Sequence, residues 1–216
     1  MAMRKKTGNT NSKPPASAKE PIDDRIERKT QEILRLHNAD IFTEDKCMEL
    51  VGLMEQSKDN MSIIAKFLSN DNPKVRDRAM KVFVRASGNG IDISDSAPAV
   101  ANALMDEKNW IRSMAATTLA FMAMSGVNAS NYVPALVSAL SDSVWGVRDA
   151  AGGALKCAVR NGDAETREKI ISEIMRFMNY ERFKAEMAQN SQLYSETIER
   201  LATIIHVIDQ AEREAA

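Results

Sequence analysis

Three stretches decide how this chain folds. NDNPKVRDRAMKVFVRASGNG (residues 70–90), DEKNWIRSMAATTLAFMAMSG (106–126) and DSVWGVRDAAGGALKCAVRNG (142–162) align without gaps at an offset of 36 residues. They share the columns Val75/Ile111/Val147, Arg76/Arg112/Arg148, Ala79/Ala115/Ala151 and Phe83/Leu119/Leu155, and each closes on a glycine, Gly90, Gly126 or Gly162. The segments ahead of them keep the same offset: SIIAKFLS from Ser62, PAVANALM from Pro98 and PALVSALS from Pro134, with a weaker copy, IISEIMRF, from Ile170. A period in this range is the mark of a stacked repeat architecture.

Within each unit the second segment carries apolar residues at i, i+4, i+7, i+8 and i+11, as in Val75, Ala79, Val82, Phe83 and Ala86. That spacing makes one stripe along a helix. A helix, a tight turn and a second helix cannot cover such a stripe alone, so neighbouring units must stack and bury it. The three closing glycines stand where a left-handed residue is wanted after a helix.

The pattern Asp-x-x-x-x-(Val/Ile)-Arg-x-x-Ala-x-x-x-Leu, read from Asp106 and Asp142, resembles the HEAT repeat in its short form. The resemblance covers roughly residues 60–178 and extends loosely to 22–57. It implies an all-α, right-handed α-solenoid of helical hairpins, an armadillo-type superhelix, with the second helices lining the concave surface. It also implies that Arg112 and Arg148 pair across neighbouring units in a ladder with Asp106 and Asp142. The first unit departs, with Asn70 in the Asp position.

Outward from the repeats, the expected divisions are a basic tail over 1–20, N-terminal cap helices or a degenerate repeat over 21–59, HEAT-like repeats over 60–178 and capping helices over 179–216. The tail has five basic residues and one acidic one and no apolar period, so it is expected to stay disordered. Its charge suits weak contact with nucleic acid or an acidic surface. Thr43 is expected to cap a helix that has Glu44 and Asp45 in its first turn. Leu193, Ile198, Leu201, Ile204, Ile205 and Ile208 predict a long amphipathic C-terminal helix that hides the end of the core.

Composition narrows the function. The 216 residues carry a formal net charge of −1 and 5% aromatics, which excludes an avid, non-specific nucleic-acid binder and a base-stacking platform. Two cysteines, Cys47 and Cys157, and two histidines, His37 and His206, are too few for a Cys/His zinc site and suggest a reducing, cytoplasmic setting. No signal-peptide-like run follows the basic start, and the uncharged stretch between Arg112 and Asp142 is broken by Gly126 and Pro134, so no membrane span is expected. No phosphate loop or cofactor motif is present, since Ser87-Gly88-Asn89-Gly90 reads as a turn.

Columns outside the apolar stripe differ sharply between units. They offer a basic strip (Lys74, Arg78, Lys81, Arg85), then a ridge (Trp110, Met114, Phe121), then a trough of small residues (Gly146, Ala150, Gly153). The reading is a non-enzymatic interaction module or assembly adaptor. Its partner-binding residues are Arg78, Lys81, Arg85, Trp110, Met114, Phe121, Gly146, Ala150 and Gly153. They would take a helix or extended segment of another protein, with an acidic flank steered by the basic strip. The helical pair Gly152-Gly153 suggests a close helix approach.

Two other readings follow from resemblance. HEAT-like alkylpurine DNA glycosylases place Trp, Asp and Arg on the concave face. Trp145 and Asp149 stand i, i+4 here, but no further Trp and no Arg near Lys184 complete the set. HEAT-like bilin lyase subunits, which act as chaperones, resemble the chain through the repeat alone. The His-Glu pairs of HEAT-like deoxyhypusine hydroxylases are missing, since His37 precedes Asn38 and His206 precedes Val207.

Overall fold

The computed structural model describes residues 22–35, 43–55, 59–180 and 191–215. The expected basic tail, residues 1–20, lies outside them. All described regular structure is helical. The helices are α1 (Ile22–Arg35), α2 (Glu44–Met54), α3 (Asp59–Ala65), α4 (Pro73–Gly88), α5 (Ala97–Asn102), α6 (Asn109–Met124), α7 (Val133–Ala139), α8 (Trp145–Asn161), α9 (Ala164–Met178) and α10 (Ser191–Ala215). They form a right-handed α-solenoid of helical hairpins. The second helices stack in the order α2, α4, α6, α8, α10, and the first helices α1, α3, α5, α7 and α9 form the other layer.

The repeat columns become the core. Val75, Ile111, Val147, Ala79, Ala115, Ala151, Phe83, Leu119 and Leu155 are all at most 3% exposed. Burial at about 25 cal/mol per Å² of apolar surface is what drives the hairpins together. Three of the first helices, α3, α5 and α7, are short. Two of them tighten into 3₁₀ turns at Lys66–Ser69 and Ala103–Met105 before the chain reverses. Pro98 and Pro134 sit in the first turns of α5 and α7, where a missing amide hydrogen costs nothing.

The reversal itself is a side-chain device. Asn70 Oδ1 accepts the Asn72 amide at 3.0 Å, Asp106 Oδ1 the Lys108 amide at 2.8 Å, and Asp142 Oδ1 the Val144 amide at 2.8 Å. Each ladder arginine then ties its own turn to the next unit. Arg76 donates Nη1 to Asn70 O at 2.8 Å and grips Asp106 with Nε at 2.6 Å and Nη2 at 3.1 Å. Arg112 does the same to Asp106 O at 2.8 Å and to Asp142 at 2.7 and 2.9 Å. These are forked, charge-assisted contacts, the strong kind. Asn70 keeps the turn without a carboxylate, and 36 residues before Arg76 stands Asp40 rather than an arginine.

The last rung changes chemistry. Arg148 donates Nη1 to Asp142 O at 2.7 Å, but its outward partner is Glu196 on α10, reached by Nη2 alone. Glu196 lies outside the repeat register, in which the ladder position would fall on Met178. Helix α10 packs Leu201, Ile204, Val207 and Ile208 inward. Ile205, expected in that stripe, is instead 49% exposed, because the buried face runs i, i+3, i+7 from Leu201.

Two glycine expectations need correction. Gly90 and Gly126 are left-handed, at φ 77° and 78°. Gly162 is extended, at φ −82° and ψ 166°. It is a glycine for room, since a Cβ there would meet Ala158 O and stand 2.8 Å from Thr166 Cγ2. In α8 the glycine pair divides its roles. Gly152 is buried, and a Cβ on it would contact Leu140 and the Arg200 stem of α10, whereas Gly153 faces open space.

Candidate functional site

Each second helix shows its free side to the same face of the stack. The side is set by the core stripe: once Val75, Ala79 and Phe83 and their counterparts point inward, residues on the opposite arc must point out. On α4 that arc holds Lys74, Asp77, Lys81 and Arg85. On α6 it holds Trp110, Ser113, Thr117 and Phe121, and on α8 it holds Gly146, Asp149 and Gly153.

The basic strip is smaller and quieter than the sequence suggests. Arg78 is 3% exposed, and burial with the opposing pull of Asp77 leaves its guanidinium pKa lowered. Its column, Arg78/Met114/Ala150, is the seam between neighbouring second helices, and Met114 and Ala150 pack partly against the core. Arg78 is therefore corrected from a surface contact to a seam residue. Lys81 is held by Asp77 at 2.8 Å and Arg85 by Glu44 of α2 at 2.7 Å. Two of the three remaining cations are thus matched by carboxylates.

Lys81, Arg85 and Met114 meet in one groove of about 490 Å³, together with Thr43 just ahead of α2, Glu44 and Cys47 of α2 and Val84 of α4. Cys47 is buried, and desolvation first, then the Glu44 charge, raises its thiol to about 11, so it stays protonated and inert near neutral pH. Trp110, Phe121, Gly146, Ala150 and Gly153 do not line this groove. Phe121 is half-buried, with its ring 3.7 Å from where a Cβ on Gly88 would lie. It sits three turns from Trp110, roughly 16 Å along α6. The ridge is a line of separate contacts rather than a single pocket.

Trp110 is 50% exposed. The small-residue trough of α8 is open: a Cβ on Gly146 would meet only Ser113 Oγ, at 4.0 Å, and one on Gly153 nothing within 4 Å. Sequence reasoning passed over Trp145 as a partner contact, and it is 59% exposed in the first turn of α8. Its signal was available, because Pro73/Asn109/Trp145 is another column that varies sharply between units. Met105, at 87% exposure, was also missed, because it ends a first helix and not a second one.

Asp149, which stands i, i+4 from Trp145 as in the glycosylase resemblance, lies exposed on α8. Among the described residues no group of three or more His, Cys, Asp or Glu could hold a metal ion, and no helix is long and apolar enough to cross a membrane.

A sequence profile for HEAT repeats matches residues 61–156. No curated protein matches the chain. Among solved structures, an engineered protein superimposes with a TM-score of 0.56 at 15% identity, over 87% of this chain and 85% of its own. A designed armadillo repeat protein in complex with the peptide (KR)4 gives 0.53 at 11% identity, over 84% and 86%. Another engineered protein gives 0.53 at 16% identity, over 87% and 86%. Identities this low speak to the fold alone.

Proposed function

We propose that this chain, whose residues 61–156 are HEAT repeats, is a non-enzymatic interaction module that takes a segment of another protein on its second-helix face. The observation that carries the reading is a half-exposed Trp110 on a helix layer whose next member, α8, leaves Gly146 and Gly153 open. Large aromatic side chains left in water next to small residues are where partner side chains gain most on binding. Trp110, Met114 and Phe121 are the anchors, Gly146, Ala150 and Gly153 the floor, and Lys81 and Arg85 the rim. A fold of this kind presenting a peptide-binding face has a parallel in the designed armadillo protein that holds (KR)4.

In this reading residues 21–59 and 179–216 close the two ends of the stack, 60–178 carry the face, and 1–20 form a tail. Two free thiols suit a reducing, cytoplasmic setting. An adaptor role follows if the two helix layers hold different partners.

The test is selection of a random peptide library on the full chain, followed by binding of the enriched peptides to Trp110→Ala and Gly153→Leu. The expected result is loss of at least tenfold in affinity for both variants, about 1.4 kcal/mol, with melting unchanged. Peptides that bind both variants as tightly as the parent would sink the proposal.

A further inference from the structure

Beyond the second-helix face, we infer that the other helix layer carries a groove, between α7 and α9, for an extended segment of a second protein. The segment has basic residues at one end and an apolar side chain at the other. Two cavities lie along these helices and meet at Pro134. The first, of about 560 Å³, is lined by Glu165 and Glu168, and the second, of about 490 Å³, by Val137, Phe177 and Tyr180. No described residue of α8 or α10 lines either one. The groove follows from helix length. Helix α9 runs for 15 residues against the 7 of α7, so it outruns its neighbour, and Glu165, Glu168 and Tyr180 are left exposed.

The two ends differ in chemistry. Val137 is buried, Phe177 is half-buried and Tyr180 is 60% exposed, so the second cavity is an apolar recess open to a side chain from outside. Buried Glu173 holds Lys169 of the first cavity at 3.4 Å and Arg176 of the second at 3.3 Å, so both cations of the groove are matched. Glu165 and Glu168 have no ion-pair partner among the described residues. Glu165 is not the helix cap either, because Asp163 caps α9 by accepting the Thr166 amide at 2.8 Å. The first end is therefore negative, and its complement is a cation. Glu168 and Phe177 stand nine positions apart on α9, roughly 14 Å along its axis. An extended chain covers that distance in about four residues. The segment that fits has a lysine or arginine about four residues from a leucine-like side chain. A partner on this layer and another on the second helices is the arrangement an adaptor requires.

The experiment is titration of the full chain into fluorescently labelled peptides, read by anisotropy at low and high salt. The probe is LSSSKKSSSL, which offers the spacing in both chain directions. The controls are LSSSEESSSL and SSSSKKSSSS. The expected result is saturable binding of LSSSKKSSSL, about tenfold tighter than either control and weakened by salt. Joint Glu165→Gln and Glu168→Gln should weaken it about fivefold, and Tyr180→Ala about fivefold, each with the parent's melting temperature. Trp110→Ala, on the other layer, should bind it as the parent does. Either control binding as tightly as LSSSKKSSSL overturns the groove. So does binding that is lost in Trp110→Ala and kept in Tyr180→Ala, which puts the segment on the second-helix face and leaves that reading standing. No response to any of the three peptides overturns the groove alone, since the second-helix face has its own test.

Discussion

The interior rungs of the ladder and its last rung do the same task with different geometry. Arg76 and Arg112 each present two nitrogens to an aspartate that also caps the next turn. Arg148 presents one nitrogen to Glu196 on a helix, and its Nε is buried without a hydrogen-bond partner. The difference shows how a repeat copies itself. Between like units, one aspartate fixes turn, register and stacking together. At the junction with α10 the outward partner of Arg148 is a helix residue, Glu196, so the stacking charge and the turn-capping carboxylate are separate groups. Thr197 Oγ1 on Leu140 O, at 3.3 Å, and the apolar face of α10 make up the remainder.

The largest effect should come from cutting an interior rung. Arg112→Ala is expected to cost about 2–3 kcal/mol, because it strands Asp142 and the Asp106 carbonyl, whereas Arg148→Ala should cost about 1–2 kcal/mol. Urea unfolding of the two variants measures both. Equal losses would erase the distinction between the rungs.

Next comes the aspartate. Asp142→Asn keeps an acceptor for the Val144 amide, as Asn70 does for Asn72 in the first unit, and loses only the charge pair. Asp142→Ala loses both and should cost about 1 kcal/mol more. Glu196→Gln should cost less than either aspartate change and act locally, raising amide exchange in α10 while α4 and α6 stay protected.

Acid should separate the junctions more gently. Burial alone would raise the Asp106 carboxyl. The Arg76 hydrogen bond, the Lys108 amide and the charges of Arg76 and Arg112 outweigh it and hold the pKa below its ordinary 3.8. The Arg148 hydrogen bond is the largest influence on Glu196 and holds it below its ordinary 4.5. Groups whose folded values are depressed add stability that is complete above those ordinary values and is lost as pH falls through the depressed ones. Stability of the parent should therefore decline below about pH 4.5, starting with Glu196. The slope should be shallower in Glu196→Gln, as followed by melting against pH. A parent and variant with identical acid limbs would contradict the pairing.

The smallest change tests α8 itself. Gly153→Ala adds a methyl into open space inside a helix and should stabilise by about 0.5–1 kcal/mol. Gly152→Leu, on the buried side, should loosen α10.

The 36-residue period determined the class of fold, because a stripe that one hairpin cannot cover forces stacking whatever the remaining residues are. The ladder was legible through the resemblance to the HEAT repeat, which implies that Arg112 and Arg148 pair across neighbouring units. What the period could not show is which arc of a helix meets its neighbour and which meets water. Arg78 repeats at the same spacing as Lys74, Lys81 and Arg85, yet it falls on the seam, since the boundary between buried and free arcs depends on how closely two helices approach. Trp145 stands one position from the column of Trp110, at the start of α8, and is exposed. Glu196 lies 48 residues from Arg148 and outside the repeat. Helical periodicity fixes directions around a single axis. The choice of partner between axes belongs to packing, and only the tertiary structure decided it.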